Sequence, residues 1–186
     1  MNYNLEPFPT DITLLIQKCE IIILKIQERF SSPECLVVKD LYHSDKGHKQ
    51  KDFIQKLQVV CNNKKDNKSK KDNEVKGLYV FGEANQNGII EPIYIGISRT
   101  VFRRLYQHTW GTMHNETTFS YLKAKHFSGY NGLRKDLPNE LLTKQQEKIK
   151  NYRLVVIPEI NDYDMYFMEV YIAGRLKTKW NSFKTH

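Results

Sequence analysis

Two tyrosines, an arginine and a histidine are the residues of this chain whose types and spacing first point to chemistry. The tyrosines lie in two short apolar runs, Gly77-Leu78-Tyr79 and Tyr94-Ile95-Gly96. Arg104 and His108 follow four residues apart, so a helix would place them on one side. A phenol and an imidazole can move a proton, and a guanidinium binds phosphate oxygens. These side chains suit a site that hydrolyses a phosphodiester.

Glu169 is the acidic residue that could complete such a site. It interrupts the apolar stripe of a helix predicted over residues 162–179, which is formed by Met165, Met168, Ile172 and Leu176. A carboxylate on a core-facing side must be paired, protonated or bound to a metal, because desolvating a lone charge is costly. The alternative to a metal is a salt bridge to Arg153 or Arg104. Asn181 follows twelve residues later as a further polar candidate.

Alternating apolar residues predict the two strands that carry the tyrosines, at Lys76–Gly82 and Pro92–Ile97, with a hairpin turn at Asn87-Gly88. Side chains alternate between the faces of a strand, so both tyrosines should emerge on one face. We expect the opposite face to be aliphatic, formed by Leu78, Val80, Ile93, Ile95 and Ile97.

The other elements follow from helical periodicity and capping residues. Helices are predicted over residues 11–30, 53–61, 98–110, 118–126, 144–150 and 162–179, and strands over 35–41 and 153–157. Thr10 or Asp11 is expected to cap the first helix, Ser98 or Thr100 the third and Asp162 the last. The polar stretch 62–74 predicts a mobile loop or linker that buries nothing.

The six candidate residues in this order resemble the GIY-YIG nuclease family: Tyr79, Tyr94, Arg104, His108, Glu169 and Asn181. The resemblance covers the chain from about Lys76 to Asn181. Leu78 replaces the isoleucine of the motif, and the interval between the tyrosines is a few residues longer than is usual. The resemblance implies an α+β fold with a small three-stranded antiparallel sheet flanked by helices. Residues 1–75 would be an N-terminal helical extension and linker, and 76–186 a catalytic domain with a helical insertion at about 111–150.

The resemblance also implies roles for these residues. Glu169 would bind Mg²⁺, with Mn²⁺ as an alternative, and the ion would otherwise keep water and phosphate ligands. Arg104 would stabilise the charge that develops on the phosphate. The resemblance favours Tyr79 as the general base, with Tyr94 and His108 positioning the water or sharing its proton. The residues alone leave the choice between Tyr79 and His108 open, because a free phenol titrates near pH 10 while an imidazole titrates near neutrality. Asn181 would orient the carboxylate or a phosphate.

Composition favours a polyanionic partner. The 186 residues carry 29 Lys and Arg against 21 Asp and Glu, a formal net charge of +8, and 40% of them are hydrophobic, as in an ordinary globular protein. Candidate DNA-binding residues are Arg103, Lys123, Lys125, Lys70 and Lys71. The three cysteines form no C-x-x-C pair, which fits a cytoplasmic protein, and the apolar segment at Ile12–Ile26 is too short and too charged to span a membrane.

We therefore expect a metal-dependent endonuclease acting on double-stranded DNA, of the type II restriction kind. With one site per chain, cutting both strands calls for a homodimer on DNA. No membrane partner and no small-molecule cofactor beyond the metal are expected. The alternatives are a phage, mobile-element or toxin nuclease of the same family with relaxed specificity, and a DNA-binding module without catalysis.

Overall fold

The computed structural model of the protein describes residues 11–43, 48–50, 52–112 and 116–183. The first ten residues of the N-terminal extension and residues 113–115 of the insertion lie outside the described part. The helices are α1 (Ile12–Ser31), α2 (Phe53–Leu57), α3 (Val101–Trp110), α4 (Thr118–Ser128), α5 (Asn139–Lys150) and α6 (Asp162–Leu176). The strands are β1 (Tyr42–His43), β2 (His48–Lys49), β3 (Gly77–Ala84), β4 (Ile90–Ser98) and β5 (Arg153–Pro158).

The central sheet has three antiparallel strands in the order β4-β3-β5, which confirms the predicted α+β class and the three-stranded sheet. Tyr79 in the middle strand lies opposite Gly96 on one side and Val156 on the other. The register between β3 and β4 shifts after Phe81, where β4 bulges. The bulge turns Ile93 to the same side as the tyrosines, so its predicted place on the aliphatic face was wrong.

Each face of this sheet packs against helices. Leu78, Val80 and Ile95 point to α1 and α6 and form one core with them. Tyr79 and Phe81 point the other way, into a core formed with the inner faces of α3, α4 and α5. The alternation of strand side chains therefore separates a largely aliphatic core from one in which aromatic and aliphatic side chains mix, and it places the tyrosine of β3 as the sequence predicted.

Helix α1 begins and ends close to where the sequence predicted. The carboxylate of Asp11 accepts hydrogen bonds from the backbone of Thr13 and Leu14 at 2.7 and 3.2 Å, which satisfies the free N–H groups of the first turn. The buried side of the helix packs on the sheet in the same core as α6. The N-terminal segment and the segment after residue 75 thus share one hydrophobic core.

The last helix is capped one residue earlier than predicted. The side chain of Asn161, and not that of Asp162, accepts from the backbone of Tyr163 and Asp164. The helix ends at Leu176, where Lys177 adopts a left-handed conformation with φ of 53°. It is therefore shorter than the predicted span to residue 179.

Two local predictions were wrong. Residues 35–41 do not form a strand: Asp40 accepts a hydrogen bond from the backbone N–H of Val37, and Val38–Leu41 is a short 3₁₀ helix. The polar stretch 62–74 does bury a side chain, because Glu74 is only 1% exposed. The Glu74 carboxylate accepts hydrogen bonds from the backbone of Phe102 and Arg103 at 3.0 and 3.2 Å. The Glu74 carboxylate thus satisfies the free N–H groups at the start of α3. This capping role was expected of Ser98 or Thr100, and Thr100 makes no side-chain capping bond.

Two further features complete the fold. Strands β1 and β2 pair as a small antiparallel sheet that the sequence did not predict. Among the described residues, no helix combines the length and the apolar character needed to cross a membrane.

Candidate active site

Gly77 on β3 and Gly96 on β4 allow the backbones and the Tyr79 ring to approach closely. A Cβ atom on Gly96 would lie 2.5 Å from the Cζ and Oη atoms of Tyr79, so only glycine leaves room for the phenol across β4. A Cβ atom on Gly77 would collide with the backbone carbonyl of Ile157 on β5. Both glycines are thus required by the packing that places Tyr79 in the centre of the sheet.

Tyr79 and His108 form the central contact of the site. The Tyr79 Oη and His108 Nε2 atoms are 2.8 Å apart, and both side chains are buried. The Tyr94 ring lies beside both, with ring centroids 6.2 Å from Tyr79 and 6.1 Å from His108. Two strands and helix α3 therefore bring together three of the predicted residues.

Burial keeps this pair electrically neutral. It raises the pKa of Tyr79 well above the usual value of a phenol, and the positive charge of Arg104 opposes that shift. It also lowers the pKa of His108 well below that of a free imidazole, and here the charge of Arg104 adds to the effect. At neutral pH the pair is a neutral phenol hydrogen-bonded to a neutral imidazole. His108 Nδ1 is buried and has no hydrogen-bond partner in the described part of the chain.

Arg104 supplies a positive charge to the site, and it forms no ion pair with a carboxylate of the described residues. Its Nη1 atom donates to the side-chain oxygen of Gln107 at 3.2 Å and to the backbone carbonyl of Glu116 at 3.1 Å. Its charge acts on Tyr79, Tyr94 and His108 together. A guanidinium held by neutral acceptors keeps its charge available for an anionic ligand.

Glu169 lies on helix α6, which packs on the face of the sheet opposite Tyr79 and His108. Burial raises its pKa to about 7, and its negative charge raises the pKa of Tyr94. Within the described residues Glu169 makes no hydrogen bond or ion pair. Arg104 bonds to Gln107 and Glu116, and Arg153 bonds to the backbone carbonyl of Cys35, so neither forms the salt bridge that was the alternative interpretation.

The donor chemistry at Glu169 fits a single Mg²⁺ or Mn²⁺ ion. A half-buried carboxylate with a raised pKa and no cationic partner would be stabilised in its ionised form by a bound cation. Magnesium commonly binds through one or two carboxylates and keeps several waters. No group of three or more His, Cys, Asp or Glu side chains suited to a metal occurs in the ranges that the structure describes. Within those ranges, only a site with few protein ligands fits the residues present.

Asn181 has a structural contact in this arrangement. Its side-chain oxygen accepts from the backbone N–H of Ile95 at 2.9 Å, and its amide nitrogen donates to the carbonyl of Ile95 at 2.8 Å. The Thr178 hydroxyl also donates to it at 2.8 Å. Asn181 therefore fixes the segment after α6 to β4, one residue from Tyr94, and its predicted orienting role remains a prediction.

Phe119 is a residue of the site that the sequence analysis did not single out. It is fully buried, and its ring stacks on Tyr94 with centroids 4.4 Å apart and planes 18° apart. The edge contact to His108 has a centroid distance of 6.0 Å. Phe119 belongs to α4, so the insertion supplies the wall that holds Tyr94 and His108 away from water.

The candidate DNA-binding residues divide into two groups. Lys123 does not lie on the surface, because it is 1% exposed and its Nζ atom lies 4.6 to 5.7 Å from the ring centroids of Trp180, Tyr152, Phe127 and Phe119. Burial lowers the pKa of Lys123 to about 8. A phosphate contact of Lys123 is excluded by this burial. The other four, Arg103, Lys125, Lys70 and Lys71, are exposed.

The chain matches no protein-family model, no curated protein and no solved structure. The chemistry of the site must therefore be inferred from its own residues. A neutral phenol–imidazole pair can accept a proton, an unpaired guanidinium can bind an anion, and a carboxylate without a partner can bind a cation.

Proposed function

We propose that this protein is a metal-dependent endonuclease that hydrolyses phosphodiester bonds of double-stranded DNA, with a GIY-YIG type of active site. The observation that carries the proposal is the buried Tyr79–His108 hydrogen bond of 2.8 Å, with the Tyr94 ring beside it and the guanidinium of Arg104 held by neutral acceptors. Arg104 acts electrostatically on Tyr79, His108 and Tyr94, whereas Glu169 acts on Tyr94, and no ion pair joins Arg104 to Glu169 in the described part of the chain. A phosphate with a divalent cation would neutralise both.

In the proposed mechanism Arg104 binds the non-bridging oxygens of the scissile phosphate. The guanidinium offers several parallel N–H donors, and the charge on the phosphate grows in the transition state. Glu169 would hold the divalent ion, which would supply positive charge to offset the charge that develops on the phosphate. Arg104 also favours the ionised form of the Tyr79 phenol.

The Tyr79–His108 hydrogen bond suggests how the proton of the attacking water is handled. The Tyr79 oxygen can accept a hydrogen bond from the water while its own proton points to His108 Nε2. The proton then moves from water to Tyr79 and from Tyr79 to His108. Burial opposes charge on both groups in the free protein. An incoming phosphate raises the proton affinity of His108, so substrate binding favours the transfer.

A cleavage assay with matched variants tests the proposal. The purified protein is incubated with a supercoiled plasmid and Mg²⁺, and with EDTA as a control. We expect nicked and linear products with Mg²⁺ only. Glu169→Ala should abolish cleavage, and Arg104→Ala should lower the rate on the order of 10²- to 10³-fold, as loss of a transition-state charge contact does.

Glu28→Ala is the matched control for Glu169→Ala. Glu28 is an exposed glutamate on α1, away from the site, so its removal should leave the rate unchanged. If Glu169→Ala cleaved the plasmid at the parent rate, Glu169 would not be the metal-binding residue of the proposed mechanism. A parent protein that binds the plasmid and leaves it intact with both Mg²⁺ and Mn²⁺ would exclude the nuclease.

Within the proposal, a restriction-type specificity is tested separately from nuclease activity. A restriction-type enzyme yields discrete fragments from a long DNA, whereas a nuclease of relaxed specificity yields a smear. Cutting both strands with one site per chain calls for two copies on the duplex. A protein–DNA complex with the mass of one chain at saturation, together with double-strand cleavage, would contradict the dimer.

A further inference from the structure

A basic cavity lies in the inserted region beside the candidate active site. Its volume is about 280 Å³. Among the described residues, those that line it are polar, basic or aliphatic and none is acidic: Thr112, Thr117, Tyr121, Arg134, Lys135, Leu137, Asn139 and Leu142. A cavity with two cationic side chains and no acid favours an anionic ligand.

Arg134 is the principal cation of this cavity. Its guanidinium lies over the Tyr121 ring at 4.9 Å, and Nη2 donates to the Thr118 hydroxyl at 3.1 Å. Its Nε atom is buried and makes no hydrogen bond with any described residue. A buried donor of this kind is costly unless a ligand or water satisfies it.

Arg134 is close to Arg104 of the active site. Arg104 donates to the backbone carbonyl of Glu116, and Arg134 donates to the side chain of Thr118 two residues later. Burial and the positive charge of Arg104 both lower the pKa of Arg134. Glu116, whose backbone carbonyl accepts from Arg104, takes a hydrogen bond from the Gln107 amide at 3.3 Å through its side chain and forms no ion pair with either arginine in the described part of the chain. Two neighbouring guanidiniums without a shared carboxylate therefore repel each other until an anion binds.

Two helix N-termini add to the positive potential. Thr117 precedes α4 and Asn139 begins α5, and both residues line the cavity. Neither helix has a side-chain capping bond at its first turn in the described part of the chain. The unpaired N–H groups of a helix start carry partial positive charge and bind phosphate oxygens.

We propose that this cavity is a second phosphate subsite, in which Arg134 binds a backbone phosphate next to the one held by Arg104. The inference rests on the proposed function, because it takes the ligand to be the same nucleic-acid strand. It assigns the insertion a direct role in substrate binding. It also gives the site a direction, since the strand would run from Arg104 past the start of α4 to Arg134.

Metal-free DNA binding tests the subsite without cleavage. The affinity for a fluorescent DNA duplex is measured by anisotropy in EDTA, at salt concentrations between about 50 and 200 mM. Arg134→Gln should weaken binding several-fold and reduce the slope of log affinity against log salt by about one, because one phosphate contact is lost. Arg134→Lys keeps the charge, so it should retain the slope and lose part of the affinity.

Lys25→Gln is the control, since it removes one charge from the exposed side of α1, on the other face of the sheet. It should change neither the affinity nor the slope. An unchanged slope in folded Arg134→Gln protein would overturn the subsite, as would a parent that does not bind DNA. A parent that binds DNA through Arg134 and does not cut it would overturn the nuclease and support the subsite. If the parent cuts DNA and Arg134→Gln keeps the full salt dependence of binding, the subsite is wrong and the nuclease proposal stands.

Discussion

Replacing Glu169 by glutamine should stabilise the protein and abolish its activity. The carboxylate is half-buried without a partner, and its pKa is raised from 4.5 to about 7. At about 1.4 kcal/mol per pH unit, this corresponds to roughly 3 kcal/mol of preference for the protonated form. Because the side chain is still partly exposed and water screens its charge, we expect about 1–2 kcal/mol of the free energy of unfolding to be affected.

The pH dependence of this effect has a definite sign. The folded state holds the Glu169 proton more tightly than the unfolded state, so the parent loses stability as the pH rises from 4.5 to about 7. Below this window both states are protonated, and the glutamine variant and the parent should be equally stable. Above it the variant should be more stable by the full amount, which is a rise of about 2–8 °C in Tm for a chain of this size.

Thermal unfolding from pH 4 to pH 8 measures this difference, and Glu28→Gln on α1 is the exposed control. Mg²⁺ provides the second arm of the test, since a ligand at ten times its Kd adds about 1.4 kcal/mol to the folded state. We expect this gain for the parent and none for Glu169→Gln. A glutamine variant less stable than the parent at pH 8, or an equal gain from Mg²⁺ in both proteins, would refute the metal-site assignment.

Three further predictions concern the surroundings of the site. Phe119→Leu should lower kcat at least tenfold with little change in KM, because Tyr94 loses its stacking partner. Phe53→Leu, in the same core, is the control, and it should destabilise the fold without lowering kcat. Lys123→Met should stabilise the protein by about 1–2 kcal/mol at pH 7, since burial lowers the pKa of Lys123 to about 8. This gain in stability should shrink as the pH rises to 10, and urea unfolding at several pH values would measure it. Tyr79→Phe and His108→Gln should each cost on the order of 10²- to 10⁴-fold in kcat, and the double variant should lose no more than either alone, because the hydrogen-bonded pair acts as a unit.

The sequence predicted the parts of the fold that depend on local patterns. The alternation of Leu78, Tyr79 and Val80 placed the phenol opposite the aliphatic side chains, as the structure has it. Strand alternation cannot reveal a bulge, so Ile93 was assigned to the wrong face. Glu74 was missed because the N–H groups that its carboxylate binds belong to a helix far along the chain.

Sequence patterns predicted the contribution of the insertion to the site least well. Phe119, Lys123 and Phe127 follow one another at helical spacing, so the pattern did contain the signal that Lys123 lies on an apolar face. The stack of Phe119 on Tyr94 is different, because it joins residues from separate elements. No periodicity in the chain encodes such a contact. The same holds for Arg134, whose nearness to Arg104 arises only when α4 packs beside α3.

These contacts give the insertion a direct part in the proposed chemistry. The Tyr79–His108 pair stays neutral because it is shielded from bulk solvent, and Phe119 is one of the side chains that shield it. The positive charge that would draw a phosphate to this pair comes from Arg104 and, across the start of α4, from Arg134. A shortened protein without residues 111–150 would hydrate His108 and lose one of the two cations. The insertion is therefore part of the proposed active site, and its removal should not leave a smaller nuclease behind.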